Sequence, residues 1–531
     1  MEKRKVKIYY TSDVHGYFYP TSYGDREVKP MGLFACASEY KKDDDTLVID
    51  GGDMLQGSAY AYYSRNILGS CEYIAQMAND CGYDFYTLGN HDFNYGQEYQ
   101  AIYRNNHKGT CVCENVLDSD GNILYPHMIH TMKNGVKVGL VGIVTDYINV
   151  WEKKENLVGI QVVDTFKAAK KALEDLQGKV DLTICIYHGG FESDLETGKR
   201  LSETTENIGY KICTELGFDV LLTGHQHMPV AGRMVNGTYT LQPLANGREY
   251  AYVEIDLEKE AFALENAVYP AAITSINSKK VQPNPDNAKE LCEKYSFVEA
   301  KVQEWLDEPL GHLSRPLYPE DKVKMALEGS GIADLINRIQ LDVSGAQLSI
   351  VGLANDIVGF NACVTTRDII ATYPFPNTLV VCRITGEKLR AAMERAAEYF
   401  EIDENGKVVV AKSFLSPKVE HYNYDYFAGV TWEIHPEAPM GKCIQNLCYQ
   451  GKPVQPDDEF TLCMNNYRYS GAGGYPMYPT CPLVKEINTE MVEIIMDYFR
   501  THGTVAIDSE KIENRCIINV NWGRIQMKLI V

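Results

Sequence analysis

Gly89-Asn90-His91-Asp92 places an amide, an imidazole and a carboxylate side by side, directly after the apolar run of residues 85–88. Four other motifs stand in the same position after an apolar run: Ser12-Asp13-Val14-His15-Gly16, Gly51-Gly52-Asp53, Tyr187-His188-Gly189-Gly190 and Gly224-His225-Gln226-His227. The runs themselves, residues 5–10, 46–50, 85–88, 182–187 and 219–223, predict buried strands bounded by glycine. Because ligands at the carboxyl ends of neighbouring strands converge on one edge of a sheet, we expect the motifs to form one site.

Each motif taken alone has a simpler interpretation. A single Asp-x-His or Gly-Gly-Asp is more often a turn than a set of ligands, since Gly and Asp are ordinary turn residues. A single histidine after a strand, such as His188, is usually a hydrogen-bonded core residue. All five motifs in this order, each at the end of a predicted strand, favour a shared chemical site.

The side chains in these motifs limit what that site can bind. Imidazole, carboxylate and one amide oxygen, with no thiolate, suit Mn, Fe, Co, Ni or Zn in a catalytic site. Asp13 and His15 have the i, i+2 spacing that points two side chains the same way from an extended segment, and His225 and His227 repeat it. Asp53 follows a strand and two glycines, which suits a carboxylate bridging two ions roughly 3.5–4 Å apart. The motifs therefore predict two divalent metal ions and displacement at phosphorus.

The order of these motifs resembles the calcineurin-like metallophosphatases. The second half of the chain narrows the resemblance to the 5′-nucleotidase and 2′,3′-cyclic-nucleotide 2′-phosphodiesterase family. The segments that carry it are residues 365–380, 384–389, 394–400, 422–430 and 465–475, the last reading Asn465-Asn-Tyr-Arg-Tyr-Ser-Gly-Ala-Gly-Gly-Tyr475. The resemblance covers nearly the whole chain.

The resemblance implies a role for each residue of the site. It implies that Asp53 bridges the two metals and that His91 is not a ligand but faces the phosphoryl group and stabilises developing charge or the leaving oxygen. Asn94 stands where the 5′-nucleotidase branch has an aspartate beside this histidine. The remaining ligands implied are Asp13, His15 and His227 for the first metal and Asn90, His188 and His225 for the second.

Two departures from the 5′-nucleotidase branch point to the cyclic-phosphodiesterase branch. One is Asn94 itself. The other is residues 353–361, which contain no arginine where that branch has an Asn-Gly-Gly-x-Arg phosphate clamp. Gln56-Gly-Ser, after the predicted bridging aspartate, agrees with the same branch. From these departures we expect a preference for 2′,3′-cyclic nucleotides, and we expect Asn94→Asp to improve the monoester reaction.

Composition excludes several classes of partner. A net charge of −21 argues against binding nucleic-acid polymers, which depend on clustered Lys and Arg. No apolar run approaches the roughly 18 residues of a membrane helix. The fifteen cysteines form no Cys-x-x-Cys pair, which favours free thiols. With no apolar signal region after Met1, these features predict a cytoplasmic protein, and the resemblance implies small nucleotides as its partners.

The pattern of elements predicts an α/β protein with two domains. Strands and helices alternate over residues 1–275, as in an αββα sandwich. Residues 276–310 predict a connecting helix, with a long amphipathic stretch at 287–306. Residues 311–531 predict an α+β domain of the 5′-nucleotidase C-terminal type, which by resemblance binds the nucleoside.

Aromatic side chains of the second domain are the candidates for stacking on a base. By resemblance, Tyr467 forms one side of the slot and Tyr424 or Phe427 the other. Tyr467 precedes the loop Ser470-Gly-Ala-Gly-Gly474, whose small residues leave the backbone open to a ligand. With 36 tyrosines in the chain, packing is the alternative role for each of them.

The sequence thus favours a dinuclear metal-dependent phosphoesterase that acts on nucleotides, as a 2′,3′-cyclic-nucleotide 2′-phosphodiesterase and 3′-nucleotidase. A 5′-nucleotidase or nucleotide-sugar hydrolase on the same scaffold is the first alternative. A non-catalytic nucleotide-binding relative is an alternative of another class, against which the complete set of ligands argues.

Overall fold

The computed structural model describes residues 2–201, 204–259, 272–375, 377–416, 418–487, 489–507 and 516–517. The chain divides into two compact units, the first unit (residues 1–304) and the second unit (residues 305–531). The domain limits predicted from the sequence, 1–275, 276–310 and 311–531, stay predictions. The end of the third, at 508–515 and 518–531, lies outside the described residues.

Two six-stranded sheets form the centre of the first unit. Sheet 1 has the spatial order Ala272–Val281, Tyr250–Lys259, Glu2–Thr11, Thr46–Asp50, Phe85–Tyr86 and Thr110–Cys111. Sheet 2 has the order Val230–Val235, Thr238–Gln242, Val220–Thr223, Leu182–His188, Lys137–Val144 and Met128–Thr131. The central strands of each sheet run parallel, so the carboxyl ends that carry the five motifs lie at one edge of each sheet.

Alternation along the strands explains the layers. In the strand Leu182–His188, Ile184 and Ile186 belong to the core that the two sheets share, whereas Cys185 and Tyr187 face the helices on the other side. This is the two-residue period of a strand buried on both faces. Those helices, Thr165–Leu176 and Gly209–Glu215, supply buried residues to the outer core.

Shorter elements complete the first unit. A three-stranded sheet consists of Ile123–Tyr125, Cys113–Asp118 and Ile160–Val162. The other helices up to residue 306 are Leu33–Ala37, Ala59–Asn66, Glu72–Asp80, Gly96–Asn106, Ile148–Trp151, Lys289–Lys294 and Ser296–Leu306, with short 3₁₀ turns at Asn90–Phe93, Lys154–Leu157 and Pro285–Ala288.

The helix predicted over residues 287–306 is interrupted. Lys289–Lys294 ends at Tyr295, whose backbone has φ −108° and ψ 9°. The side chain of Tyr295 is held by distant residues: its hydroxyl donates to Asp80 at 2.6 Å, and its ring stacks on Phe34 at 5.9 Å between ring centres. These long-range contacts override the helical pattern of the local sequence.

The second unit is an α+β arrangement. Its five-stranded sheet has the order Asp425–Ala428, Leu348–Gly352, Glu459–Asn465, Leu379–Thr385 and Leu483–Ile487. One smaller sheet joins Lys452–Pro453, Ile444–Tyr449, Val430–Ile434 and Cys516–Ile517. A second joins Cys363–Thr365, Pro309–Leu313 and Thr504–Val505. A third pairs Phe400–Ile402 with Val408–Val410. Its helices are Lys322–Glu328, Gly331–Ser344, Thr366–Thr372, Gly386–Ala397, Asn466–Tyr469 and Met491–His502, with 3₁₀ turns at Lys412–Phe414, His421–Asn423 and Tyr478–Thr480.

Helix lengths bear on the question of a membrane. Among the residues that the structure describes, no helix combines the length and the apolar character needed to cross a bilayer.

Candidate metal centre

Four predicted ligands from three loops converge in the first unit. The ligand atoms of Asp13, His15, Asp53 and His227 all lie within 4.8 Å of one another. His15 Nε2 is 3.0 Å from His227 Nε2, and His227 Nε2 is 3.4 Å from Asp13 Oδ1. The two carboxylates are buried, each with 1% of the residue exposed. Two imidazoles and two buried carboxylates in this space form a donor set suited to a divalent metal ion.

The other predicted ligands lie directly beside this cluster. His188 Nε2 is 3.2 Å from Asn90 Oδ1, and His225 Nδ1 is 2.8 Å from the same oxygen. Asp53 belongs to both groups, since its Oδ2 is 3.2 Å from His188 Nε2 and 3.8 Å from His15 Nε2. One carboxylate oxygen therefore faces a ring from each predicted ligand set.

Hydrogen bonds on the far side of the rings fix which nitrogen carries the proton. Three rings each have one nitrogen against an oxygen that accepts hydrogen bonds. The pairs are His15 Nδ1 with Gln56 O at 2.7 Å, His188 Nδ1 with Gly51 O at 2.7 Å, and His225 Nε2 with Glu206 Oε1 at 2.8 Å.

In a neutral ring the nitrogen that faces such an oxygen carries the hydrogen, and the other nitrogen presents a lone pair. In the neutral form that a metal binds, the lone pairs of His15 Nε2 and His188 Nε2 face the carboxylate of Asp53, and that of His225 Nδ1 lies beside Asn90 Oδ1. Lone pairs and carboxylate oxygens directed at one place need a cation between them. Tethering the outer nitrogen to an oxygen is also how metal-binding histidines are oriented in proteins.

The backbone at these ligands is unusual. Asp13, His15, Asp53, His225 and His227 all have positive φ, between 53° and 70°. Residues other than glycine rarely adopt this left-handed conformation, which costs of order 1–3 kcal/mol each and tends to persist at functional sites. Five of the ten such residues in the described part of the chain are predicted ligands, so the strain is concentrated at this site.

Close packing of the loops explains the glycine of the central motif. A Cβ on Gly89 would lie 2.1 Å from Asp53 Oδ1 and 2.4 Å from Asp53 N, so only glycine fits. The side chain of Asp92 then ties the two loops together. It accepts hydrogen bonds from the backbone N–H groups of Asp53, Met54, Leu55 and Gly89, at 2.8–3.0 Å.

Electrostatics in the cluster favour positive charge. Burial opposes protonation of His188, but the charge of Asp53 and the hydrogen bond to it outweigh burial and raise the pKa of His188 to about 10. Burial alone would raise the pKa of Asp53, yet the charges of His188 and His91 hold it well below its usual range. Burial lowers the pKa of His15 to about 4. The negative potential that holds a proton on His188 also attracts a divalent cation.

His91 lies next to the cluster without entering it. Its ring centre is 5.4 Å from that of His15, and its backbone N–H donates to Asp53 Oδ1 at 2.7 Å. On its other side, His91 Nδ1 is 2.7 Å from Asn94 Oδ1. Asn94 thus orients this partly exposed ring beside the predicted ligands.

Comparison with known proteins agrees with this geometry. The calcineurin-like phosphoesterase model matches residues 6–229, and the model of the 5′-nucleotidase C-terminal domain matches residues 309–480. The chain belongs to the calcineurin-like phosphoesterases with a 5′-nucleotidase C-terminal domain. This confirms the fold class predicted from the sequence, and membership of this family implies divalent metals.

Relatives of this calcineurin-like phosphoesterase share most of its length. It is 26% identical to the trifunctional nucleotide phosphoesterase of Bacillus subtilis over 94% of the chain, which spans 38% of that protein. It is 25% identical to the 2′,3′-cyclic-nucleotide 2′-phosphodiesterase/3′-nucleotidase of Haemophilus influenzae, covering 95% of this chain and 86% of that one. A Staphylococcus aureus protein provisionally named a 5′-nucleotidase, crystallised with α-ketoglutarate, aligns with a TM-score of 0.84 at 29% identity, covering 95% and 99% of the two chains.

Some residues of this phosphoesterase site were not found from the sequence. Glu152 accepts a hydrogen bond from Asn94, Glu206 contacts the outer nitrogen of His225, and the Trp151 ring stacks on His225 with 5.5 Å between centres and 24° between planes. Asp92 stands in the Gly-Asn-His-Asp motif, but the motif does not show that its side chain joins two loops. Glu152 and Trp151 stand in no motif, and only their contacts identify them.

The predicted nucleoside-binding residues lie in the 5′-nucleotidase C-terminal domain. Tyr424 is buried and donates its hydroxyl proton to Ala326 O at 2.8 Å. Phe427 is also buried, with its ring edge-on to Trp432. Tyr467 is partly exposed in the short helix before the glycine-rich loop. The burial of the first two favours packing roles, and the stacking role of all three stays a prediction.

Proposed function

We propose that this protein is a dinuclear metal-dependent phosphoesterase that opens 2′,3′-cyclic nucleotides and then removes the 3′-phosphate. The observation that carries the proposal is the convergence of the predicted ligand atoms around Asp53. Relatives named as 2′,3′-cyclic-nucleotide 2′-phosphodiesterase/3′-nucleotidases, each about 25% identical, support nucleotides as the substrate class.

Each ligand has a proposed place. Asp53 bridges, because one of its oxygens faces both groups of ligands. Two divalent ions supply Lewis-acid activation of a phosphoryl group when bound. The other ligands proposed are Asp13, His15 and His227 for one ion and Asn90, His188 and His225 for the second; the metal is Mn, Co, Ni, Zn or Fe.

His91 is the proposed catalytic side chain. Its ring stands beside the ligands but is held by Asn94 and by the backbone contact to Asp53. With Nδ1 directed at Asn94 Oδ1, Nε2 is the ring atom left to meet a substrate oxygen. From that position the ring stabilises charge on the phosphoryl group or moves a proton to the leaving oxygen.

The preference for cyclic substrates rests on charge. A 5′-monophosphate is a dianion, and it gains most from a protonated imidazole and from arginine forks. Asn94 orients His91 but adds no negative charge to favour an imidazolium, and residues 353–361 lack arginine. A 2′,3′-cyclic phosphate has one charge less and a strained ring, so it depends less on both.

A substrate panel tests this proposal. Purified protein is assayed with 2′,3′-cyclic, 3′- and 5′-nucleotides, in the presence of Mn, Co, Ni, Zn or Mg in turn. We expect kcat/KM to be higher for the 2′,3′-cyclic nucleotides than for the 5′-monophosphates. A clear preference for 5′-monophosphates or nucleotide sugars supports the alternative hydrolase, and no hydrolysis of any phosphodiester with any metal supports a non-catalytic relative.

Location and partners belong to the same proposal. The cytoplasmic location and the absence of nucleic-acid polymers as partners stay predictions from the sequence. Base selection by Tyr467, with Tyr424 or Phe427, also stays a prediction, and Tyr467→Ala is expected to raise KM for nucleotides but not for a generic phosphodiester.

A further inference from the structure

We propose that Glu152 is a positioning residue for catalysis, acting on His91 through Asn94. Asn94 Nδ2 donates to Glu152 Oε2 at 2.6 Å, while Asn94 Oδ1 lies 2.7 Å from His91 Nδ1. The three side chains form a chain of two hydrogen bonds that ends at the ring beside the metal ligands. This inference rests on the proposed function, in which His91 is the catalytic side chain.

Glu152 decides which way the amide of Asn94 points. A carboxylate only accepts hydrogen bonds, so the NH₂ group of Asn94 must face Glu152 and its carbonyl oxygen must face His91. The carbonyl oxygen in turn requires hydrogen on Nδ1 of His91. Without an acceptor at position 152 the amide is free to flip, and a flipped amide would present NH₂ to Nδ1 and reverse the ring's tautomer.

The carboxylate of Glu152 is itself held in place. Its Oε1 accepts from Lys153 N and from Asn156 Nδ2, each at 2.8 Å. The same Asn156 Nδ2 also lies 2.8 Å from Asn94 O. While residue 94 is asparagine, these three donors are satisfied only by a carboxylate, because glutamine would direct its own NH₂ either at Asn94 or at the other two donors.

This contact changes what Asn94→Asp alone is expected to do. An aspartate there would set a second carboxylate oxygen at the 2.6 Å now spanned by the hydrogen bond to Glu152. Like charges at this distance repel, and the side chain would turn away from Glu152 and from its place under His91. The expectation from the sequence, that this exchange alone improves the monoester reaction, is therefore revised to a loss of rate.

Exchanging the two groups restores the chain of hydrogen bonds. In the double variant Asn94→Asp/Glu152→Gln, a carboxylate at 94 accepts from His91 Nδ1 and from the amide at 152. A positioning role therefore predicts that two harmful single changes partly cancel. A merely structural role of Glu152 predicts that they add.

The test uses the full-length protein loaded with Mn and two substrates, bis(p-nitrophenyl) phosphate and a 2′,3′-cyclic nucleotide. We expect Asn94→Asp and Glu152→Gln each to lower kcat by about tenfold or more, with KM and metal content near those of the parent. The double variant should recover most of that loss. Glu155→Gln, an exposed acid of the same segment, is the matched control and should leave kcat unchanged.

The outcomes separate the two proposals. If kcat of the double variant equals the product of the single effects, or if Glu152→Gln lowers only the melting temperature, the positioning role is overturned. If the parent hydrolyses bis(p-nitrophenyl) phosphate but no nucleotide, the proposed substrate class is wrong. The double-variant cycle on the generic substrate still decides the role of Glu152 in that case.

Discussion

His188 and His91 are neighbours of the same carboxylate, and at the scale of single residues they are expected to differ when removed. His188 is fully buried and directs Nε2 at Asp53, so His188→Ala should lower the metal content per chain together with turnover. His91 makes no ligand-type contact in the cluster, so His91→Ala should keep its metal and lose roughly 10²–10⁴-fold in kcat. Metal analysis by mass spectrometry beside a phosphodiester assay checks both; equal metal loss in the two variants contradicts the assignment.

The pKa of His188 leads to a prediction about protons. The pKa is raised from 6.5 to about 10, so the ring of the metal-free protein keeps its proton at pH 8. A metal binds the neutral ring, so metal uptake must release that proton. The pKa of His15 is lowered to about 4, so this ring is already neutral and releases none. Metal affinity should therefore rise with pH until about pH 10.

Calorimetry measures this release directly. Mn is titrated into metal-free protein at pH 8 in two buffers of different ionisation enthalpy. The two apparent binding enthalpies should differ by about the difference between the two ionisation enthalpies, which corresponds to one proton released per chain. Identical enthalpies in the two buffers would mean that His188 is neutral before the metal arrives, and the raised pKa would then be wrong.

At the scale of elements, the loop after each strand is shaped by contacts with another loop. Gly89 has an extended backbone, φ −101° and ψ 173°, so alanine is allowed by conformation and excluded only by Asp53. Overpacking of this kind costs about 1–3 kcal/mol, and a displacement of 1 Å at a catalytic group can cost about 10²-fold in rate. Gly89→Ala is thus expected to lower metal content and turnover while the protein still folds.

The control is the same glycine-to-alanine change at a position away from the predicted metal ligands. Gly331→Ala places a Cβ 3.0 Å from the end of the flexible Leu317 side chain, far along the sequence from the motifs. It should leave metal content and kcat near those of the parent. Circular dichroism confirms folding of both variants, and normal metal binding by Gly89→Ala would show that the loop relaxes around the added methyl group.

The sequence predicts elements well where the signal is local. The predicted strand at 46–50 has those bounds in the structure, because a continuous apolar run marks it. The predicted strand at 85–88 shortens to Phe85–Tyr86, since the chain turns there to bring Gly89 against Asp53. Elements that depend on distant contacts, such as the helix broken at Tyr295, are missed.

In the site, too, local sequence signals predict some residues, whereas residues that depend on distant contacts are missed. Seven predicted ligands stand in short motifs at strand ends, so a local pattern together with the geometry of parallel sheets places them near one another. Glu152 lies 58 residues from Asn94 in sequence, and no spacing rule connects the two. The left-handed backbone of the ligands is equally invisible in a pattern of residue types, because Asp and His adopt it only when the surrounding loops impose it.

At the scale of the whole molecule, all the predicted metal ligands belong to the first unit, residues 1–304. Asp13 and Asp53 are buried there, each with 1% exposed, and their negative charges repel each other. A cation that binds only the folded unit stabilises it by about 4 kcal/mol when its concentration is 1,000 times Kd. Metal should therefore stabilise the first unit and leave the second, residues 305–531, unaffected.

Differential scanning calorimetry with and without a chelator tests this difference between the units. We expect one unfolding transition to move down by several degrees when metal is removed, because a loss of this size is large against the stability of a domain. The other transition should keep its midpoint. In His188→Ala the shift of the responsive transition should be smaller, because this variant keeps the ligands proposed for the other ion, and the smaller shift assigns the transition to the first unit. If both midpoints move by the same amount, metal binding is not confined to the first unit. If neither midpoint moves, the protein holds no stabilising metal. Either result would show that the proposed ligand set is wrong.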